Sequence, residues 1–419
     1  MALAISEAIQ NKQQLVAEAG TGTGKTFAYL VPALLSGGKV IISTGTKNLQ
    51  DQLFKRDIPN VREALQLPVH IAMLKGRANY VCHHHLAQVS NNGQLASRQD
   101  VRYLQTIRIF AEHSQSGDKA ELATVPETAP IWSQVTSTRD NCLGSDCAFF
   151  KECFVFEARK RALVADVVVG NHHLFFADVA LREEGITELL PVANSIIFDE
   201  AHQLPEVAGL FFGESVSTYK LLELIKDSHY AQSVHAADCH DLKEQLSTLD
   251  KVSRDLRLVF AEDNGRLSLE KALATVGFAE ALQVVGSTLN TVVGILETQV
   301  GRAPELEKCW TRALDIAQLL IRWQTGGDEN VRWLELSRYS IELHTTPISV
   351  ATKFTEMIKN NSCAWIFTSA TLAVKNDFQH YLKEMGLLDA RTLRWESPFN
   401  YATQALLYAP PQMPLPSAS

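Results

Sequence analysis

Residues 19–26 read AGTGTGKT, with the apolar run Leu15, Val16, Ala17 just before and Phe27, Ala28, Tyr29 and Leu30 after. A short apolar strand, a glycine-rich turn and a helix start form the layout of a phosphate-binding loop. Gly22 and Gly24 carry no Cβ, so the backbone there can curl and turn its N–H groups onto a polyphosphate. The helix that follows adds the positive end of its dipole. In this frame Ala19, Gly20, Thr21, Gly22, Thr23 and Gly24 form the cradle, Lys25 reaches the terminal phosphates and the Thr26 hydroxyl ligates Mg²⁺. The strict pattern places glycine where Ala19 stands. A flexible turn would account for the glycines but not for Lys25 and Thr26 directly behind them. The chain is therefore expected to bind a nucleoside triphosphate.

The rest of the chain supplies the sheet such a loop needs. VIIS at 40–43 and a helical pattern through Phe54 continue a β-loop-α-β unit, and 69–74 is expected as a third strand. DVVVG at 166–170, SIIFDE at 195–200 and AWIFT at 364–368 are continuous apolar runs, the pattern of parallel strands covered on both faces. Between 75 and 161 the rhythm breaks: 94–113 reads as a helix and 114–130 as a polar loop. From 205 to 327 strand signals almost vanish, and leucine, valine and alanine recur at helical spacing over 221–225, 268–300 and 313–323. That stretch is expected to be a separate helical insertion. Residues 331–336 and 339–344 alternate like strands, 349–359 returns to helix, and the proline-rich end 406–419 reads as a linker or truncated tail.

At 419 residues, with 46% hydrophobic and 21% charged side chains, the composition is that of a globular protein of two to three domains. The net charge of −8 argues against blanket attachment to nucleic acid but leaves room for a local basic groove. No apolar run is read as long enough to span a bilayer and the N-terminus lacks a basic leader, which sets the expectation of a cytoplasmic protein.

Asp199, Glu200, Ala201 and His202 close the SIIF strand, where open α/β sheets bind their ligands. Asp199 would hold Mg²⁺ through water, and Glu200 would orient or deprotonate the water that attacks the γ-phosphate. An acidic turn after a strand is common, but the combination with a phosphate loop is specific. Ser369 and Thr371 follow the 364–368 strand, and their hydroxyls could bridge the acids to a second ligand. Lys25, Asp199 and Glu200 are the candidate catalytic residues.

Cys142, Cys147 and Cys153 crowd into twelve residues, where about 0.2 cysteines would fall by chance. With Cys82 they form four thiols on a region without an evident core, the setting of a structural metal site. A [4Fe–4S] cluster and a tetrahedral Zn²⁺ both satisfy four sulfurs, and the spacing does not separate them. The alternative is four buried free thiols, the expected state of the scattered Cys239, Cys309 and Cys363. His83, His84 and His85 are expected to be an exposed polar run. Arg159, Lys160 and Arg161, with Lys75 and Arg77, would form either a basic face for a phosphate backbone or a solvated helix surface.

The ordered set AGTGTGKT at 19–26, STGTKNLQDQL at 43–53, GRANYVC at 76–82, DNCLGSDCAFFKEC at 140–153, ADVVVGNHHLF at 165–175, FDEAH at 198–202, TSATL at 368–372 and SPF at 397–399 resembles the iron–sulfur superfamily-two helicases, the DinG/XPD-like group, in its YoaA-type branch. In that family alanine is common at the position of Ala19. The resemblance implies an α/β fold with a RecA-like parallel sheet, interrupted by an iron–sulfur domain and an α-helical arch. The implied segments are 1–75, 162–205 and 346–405 for the first motor domain, 76–161 for the cluster domain, 206–345 for the arch and 406–419 for the tail. It further implies ATP, Mg²⁺ and a [4Fe–4S] cluster on Cys82, Cys142, Cys147 and Cys153. Ser369, Thr371 and His202 would couple hydrolysis to movement, and Arg159 and Lys160 would face DNA.

The implied activity is an ATP-dependent DNA helicase of repair or replication, moving 5′ to 3′ on single-stranded and fork-like DNA as a monomer, with replication or repair proteins as further partners. A motif that reads adenine before the first strand and a second motor domain after SPF are not recognised, so the expectation is the first half of such an enzyme, nearly inactive alone. The competing readings are a non-catalytic nucleic-acid-binding subunit and a zinc-stabilised ATPase unrelated to DNA.

Overall fold

The computed structural model describes residues 1–92, 95, 97–183, 189–327, 330–406 and 408. Among these, the strands are β1 Gln14–Ala19, β2 Val40–Thr44, β3 Ile71–Met73, β4 Val167–Asn171, β5 Ser195–Asp199, β6 Glu214–Ser217, β7 Gly265–Ser268, β8 Asn330–Ser337, β9 Ser340–Pro347, β10 Ala364–Ser369 and β11 Arg391–Trp395. By its contacts the chain divides into two compact units, 1–74 with 162–205 and 351–419, and 75–161 with 206–350.

The first unit holds a parallel sheet in the order β11-β1-β10-β5-β2-β4-β3. Every residue of β2, β5 and β10 is buried, which explains why those strands read as unbroken apolar runs. Side chains alternate across the sheet. Leu15, Ile42, Ile197 and Ile366 join a core with Ile5 of the helix Ala2–Gln10 and Tyr29 and Leu30 of the helix Lys25–Leu35. Phe198, Trp365 and Phe367 meet Phe175 of the helix His172–Glu183 and Phe354 of the helix Ala351–Asn360, with Phe198 and Phe367 stacked at 5.2 Å and 11°. This confirms the expected α/β class with a parallel sheet.

The second unit contains the helices Thr218–His235, His240–Leu258, Phe278–Glu297 and Pro304–Thr325 and an antiparallel sheet in the order β6-β9-β8-β7. Ser217 caps the first of these helices by accepting from the Lys220 N–H at 3.1 Å. Phe278, Leu282, Val285, Leu289, Val292 and Leu296, at steps of three and four, are 0–3% exposed and form one stripe of a shared core with Leu246, Leu306 and Leu334.

Four expectations need correction. The helix Phe278–Glu297 is, by length and composition alone, long and apolar enough to cross a membrane, with mean hydropathy 1.3; its leucine and valine stripe packs in the helical core. The segment read as free of strands contributes β6 and β7, four residues each, too short for a periodicity to register. The third strand shrinks to Ile71–Met73 at the sheet edge, and β11, unforeseen, forms the other edge. No residue of β11 is fully buried, so RTLRW can carry its arginines. The helix expected over 94–113 is observed as Arg98–His113. Most of the tail 406–419 lies outside the described residues.

Candidate active site and cysteine pocket

Parallel pairing sets the carboxyl ends of β1, β10 and β5 side by side, with Ala17 opposite Thr368 and Thr368 opposite Asp199. Three motifs far apart in sequence are thereby delivered to one edge. Beyond β1, Gly22 and Gly24 adopt φ of +85° and +74°, values that a side chain strongly disfavours. Gly24 precedes the helix Lys25–Leu35, and a Cβ there would meet nothing within 4 Å. The Thr23 hydroxyl donates to the Gly20 carbonyl at 2.8 Å and tightens the turn.

Lys25 Nζ stands 2.9 Å from Glu200 Oε1 and 3.2 Å from Asp199 Oδ1. Burial pushes the Asp199 carboxyl up from its ordinary range, and the Lys25 ammonium opposes that shift. Glu200 sits in the left-handed region at φ +57°, uncommon for a residue that carries a side chain. His202 Nδ1 lies 3.3 Å from Glu200 Oε2 and shares a hydrogen bond with Ser369 Oγ at 2.9 Å. The Thr371 N–H donates to Ser369 Oγ at 3.3 Å, while the Thr371 side chain is exposed. The arrangement offers a cation and backbone N–H groups for phosphates, with a pair of acids for a metal-bound water.

Several participants were not foreseen. Tyr29, one turn beyond Lys25, donates to Asp199 Oδ2 at 3.0 Å and also bonds Thr26, so it braces both candidate Mg²⁺ ligands. Its spacing from Lys25 on the helix was the available signal. His172, fully buried, shares a 2.7 Å bond with Ser43 Oγ, and burial lowers its pKa to about 3. The SPF segment folds back on the phosphate loop. Ser397 Oγ donates to Thr21 O at 2.7 Å, Tyr401 shares a 2.6 Å bond with the Thr21 hydroxyl, and a Cβ on Gly22 would collide with the Phe399 ring.

In the second unit Cys82, Cys142, Cys147 and Cys153 line one pocket, all four as free thiols. Arg77 Nη1 donates to Cys142 Sγ at 3.2 Å and the Gly144 N–H does so at 3.5 Å, the support a thiolate ligand requires. Burial pushes the Cys82 thiol up to about 11, so a thiolate there calls for a compensating cation. Free thiols lining one pocket, with two N–H donors on Cys142, are the donor type that iron–sulfur clusters use. Among the described residues no group of three or more His, Cys, Asp or Glu is disposed to hold a metal ion.

The histidine run is not an exposed one. His83 packs its ring 4.7 Å from Phe154, His85 is buried, and burial lowers the pKa of all three. Lys75 is not available to a basic face, being buried against Asp118 at 2.8 Å, and Arg77 is turned to Cys142. Lys160 is exposed and 3.9 Å from Glu157, and Arg159 is half-buried on the same helix, Phe154–Val164.

Residues 2–91 match the DEAD/DEAH box helicase family. The chain is 42% identical to the ATP-dependent DNA helicase YoaA of Haemophilus influenzae over 99% of its own length and 65% of that protein's. It is 42% identical to YoaA of Escherichia coli over 97% of its length and 64% of the relative's. The ATP-dependent helicase DinG of Mycobacterium tuberculosis is 37% identical over 49% of this chain and 34% of that protein. The chain thus spans just under two thirds of the YoaA proteins.

Proposed function

We propose that this chain, which is similar to the YoaA and DinG helicases, binds Mg-ATP and single-stranded DNA as part of an ATP-dependent DNA helicase. The observation that carries the reading is the convergence of Lys25, Asp199, Glu200 and Ser369 on adjacent strand ends. Lys25 and the loop N–H groups would take the β- and γ-phosphates, Thr26 and Asp199 would hold Mg²⁺, and Glu200 would orient the attacking water. Lys25 now bridges the two acids, and a bound polyphosphate would draw it off them and leave both free for metal and water. His202 and Ser369 would report that change to the DNA-facing side, with Thr371 exposed beside them.

Cys82, Cys142, Cys147 and Cys153 would hold a [4Fe–4S] cluster, which supplies a rigid cross-link to a region built of short helices and loops. On the family pattern, residues 76–161 would be the cluster domain and 206–345 the arch, with Arg159 and Lys160 toward DNA. The enzyme would move 5′ to 3′ as a cytoplasmic monomer on forked DNA in repair or replication.

The test is binding of Mg-ATP and of a labelled single strand by the full chain. Mg-ATP affinity should fall by about a hundredfold in Lys25→Ala, the scale of one lost contact to a charged centre, while DNA binding weakens with rising salt. Unchanged nucleotide binding in Lys25→Ala would overturn the reading.

A further inference from the structure

Glu18 is the penultimate residue of β1, immediately before the phosphate loop, and is 6% exposed. Its strand register sets it opposite Ser369 of β10 on one side and Arg394 of β11 on the other. Both carboxylate oxygens are engaged. Oε2 accepts from the N–H groups of Leu372 and Ala373, each at 2.6 Å, and Oε1 meets Arg394 Nε at 2.8 Å. A buried carboxylate is expensive unless so satisfied, and bonds of this kind are short and strong.

What Glu18 holds is the stretch just after β10, which has no ladder of its own. The N–H groups of residues 372 and 373 would otherwise be without these acceptors, and this stretch carries Thr371 and sets its approach to Ser369. The contacts then form a circuit. Lys25 meets Glu200, Glu200 meets His202, His202 meets Ser369, Ser369 accepts from Thr371, and the next two residues return to Glu18. Seven residues along the backbone from Glu18 stands Lys25 again.

We propose that Glu18 is a positioning residue that ties the phosphate loop to the turn at 369–373, closing a circuit through which nucleotide on the loop is felt at Ser369 and Thr371. This rests on the ATP reading above. Glu18 touches no phosphate itself. Its side chain is anchored to the turn and its backbone to the loop, so a shift of either is passed to the other.

Hydrogen exchange in the full chain tests it, read at a peptide covering 370–374 and at the loop 20–26. In the native chain Mg-ATP should slow exchange in both. In Glu18→Ala, exchange at 370–374 should rise by about tenfold or more, the scale of one lost buried bond to a charge. It should also stop responding to Mg-ATP, with nucleotide affinity kept within about threefold because Lys25 and Thr26 are untouched. Glu18→Gln, which keeps the shape and one acceptor, should fall between and serves where the alanine variant does not fold. A turn in Glu18→Ala that still responds to Mg-ATP overturns the proposal, as does a parallel loss of nucleotide affinity and melting temperature. No protection of 20–26 by Mg-ATP in the native chain would overturn the ATP reading and the relay together. The rise at 370–374 would still decide whether Glu18 holds the turn.

Discussion

The phosphate-loop site and the cysteine pocket are built on opposite principles. At the first, the positions of Asp199 and Ser369 follow from strand register: once β1, β10 and β5 pair in parallel, the motifs at their ends have nowhere else to be. At the second, Cys82 lies at the start of the helix His83–Asn92, Cys142, Cys147 and Cys153 lie in turns and at a helix start, and no strand ladder fixes their spacing. A site set by a sheet should survive loss of its ligand. A site set by loops should depend on what its sulfurs hold.

The sharpest way to break that contrast is Cys142→Ser. Structural metal binding is worth on the order of 10 kcal/mol of folding energy to a small region. On the proposed cluster reading, the variant should lose iron and its absorption near 400 nm, and proteases should open 75–161. Mg-ATP affinity should stay within about twofold, because the first unit folds around its own core. Equal loss of Mg-ATP binding would show that the sheet site is not self-supporting. Trp365→Ala attacks the other side. Its ring is 1% exposed among Phe175, Phe198 and Phe354, and removing such a ring costs about 3–5 kcal/mol. Melting of the first unit should fall by roughly 10 °C, with iron content unchanged.

The contrast also marks what the sequence could show. SIIFDE and AWIFT announced both the strands and the chemistry at their ends, because a doubly covered strand must be apolar throughout. Register, however, is a property of pairs, so nothing in the chain foretold that Glu18 would reach Leu372 and Ala373 or that the SPF segment would lie on the loop. Lys75 and Arg77 were misjudged for a related reason. A cation alone in a sequence looks like a surface charge, and only the fold reveals Asp118 and Cys142 as its partners. The histidine run at 83–85 looked polar and solvent-facing, but the rings are apolar bodies that pack once their charge is lost. The four cysteines were conspicuous by spacing, while the nature of the centre they would hold was not, since sulfur donors suit one metal or several.

Acid sharpens the contrast further. His172 is held neutral with a pKa of about 3 against an ordinary value of 6.5. Below pH 6.5 the unfolded chain takes up a proton that the folded chain refuses, so stability is full above pH 6.5 and is lost as pH falls toward 3. Between pH 6.5 and pH 5 this amounts to about 2 kcal/mol. Denaturant unfolding of the first unit should show that slope, and His172→Gln should flatten it. A slope that persists in the variant would assign it to other groups.

The smallest effect tests whether the sheet site is tuned as well as placed. Tyr29→Phe removes only the phenolic oxygen that meets Asp199 and Thr26. The ring stays in its core with Leu30 and Ile197, so the loss is one hydrogen bond to a charged group, about 1–2 kcal/mol. Freed of that donor, Asp199 loses a contact that favours its ionised form, and its carboxyl pKa moves further up. The Mg²⁺ concentration needed for half-maximal ATP binding should rise a few-fold at the lower of two pH values and less at the higher. A rise of equal size at both pH values would mean that Tyr29 fixes the direction of the carboxylate rather than its charge.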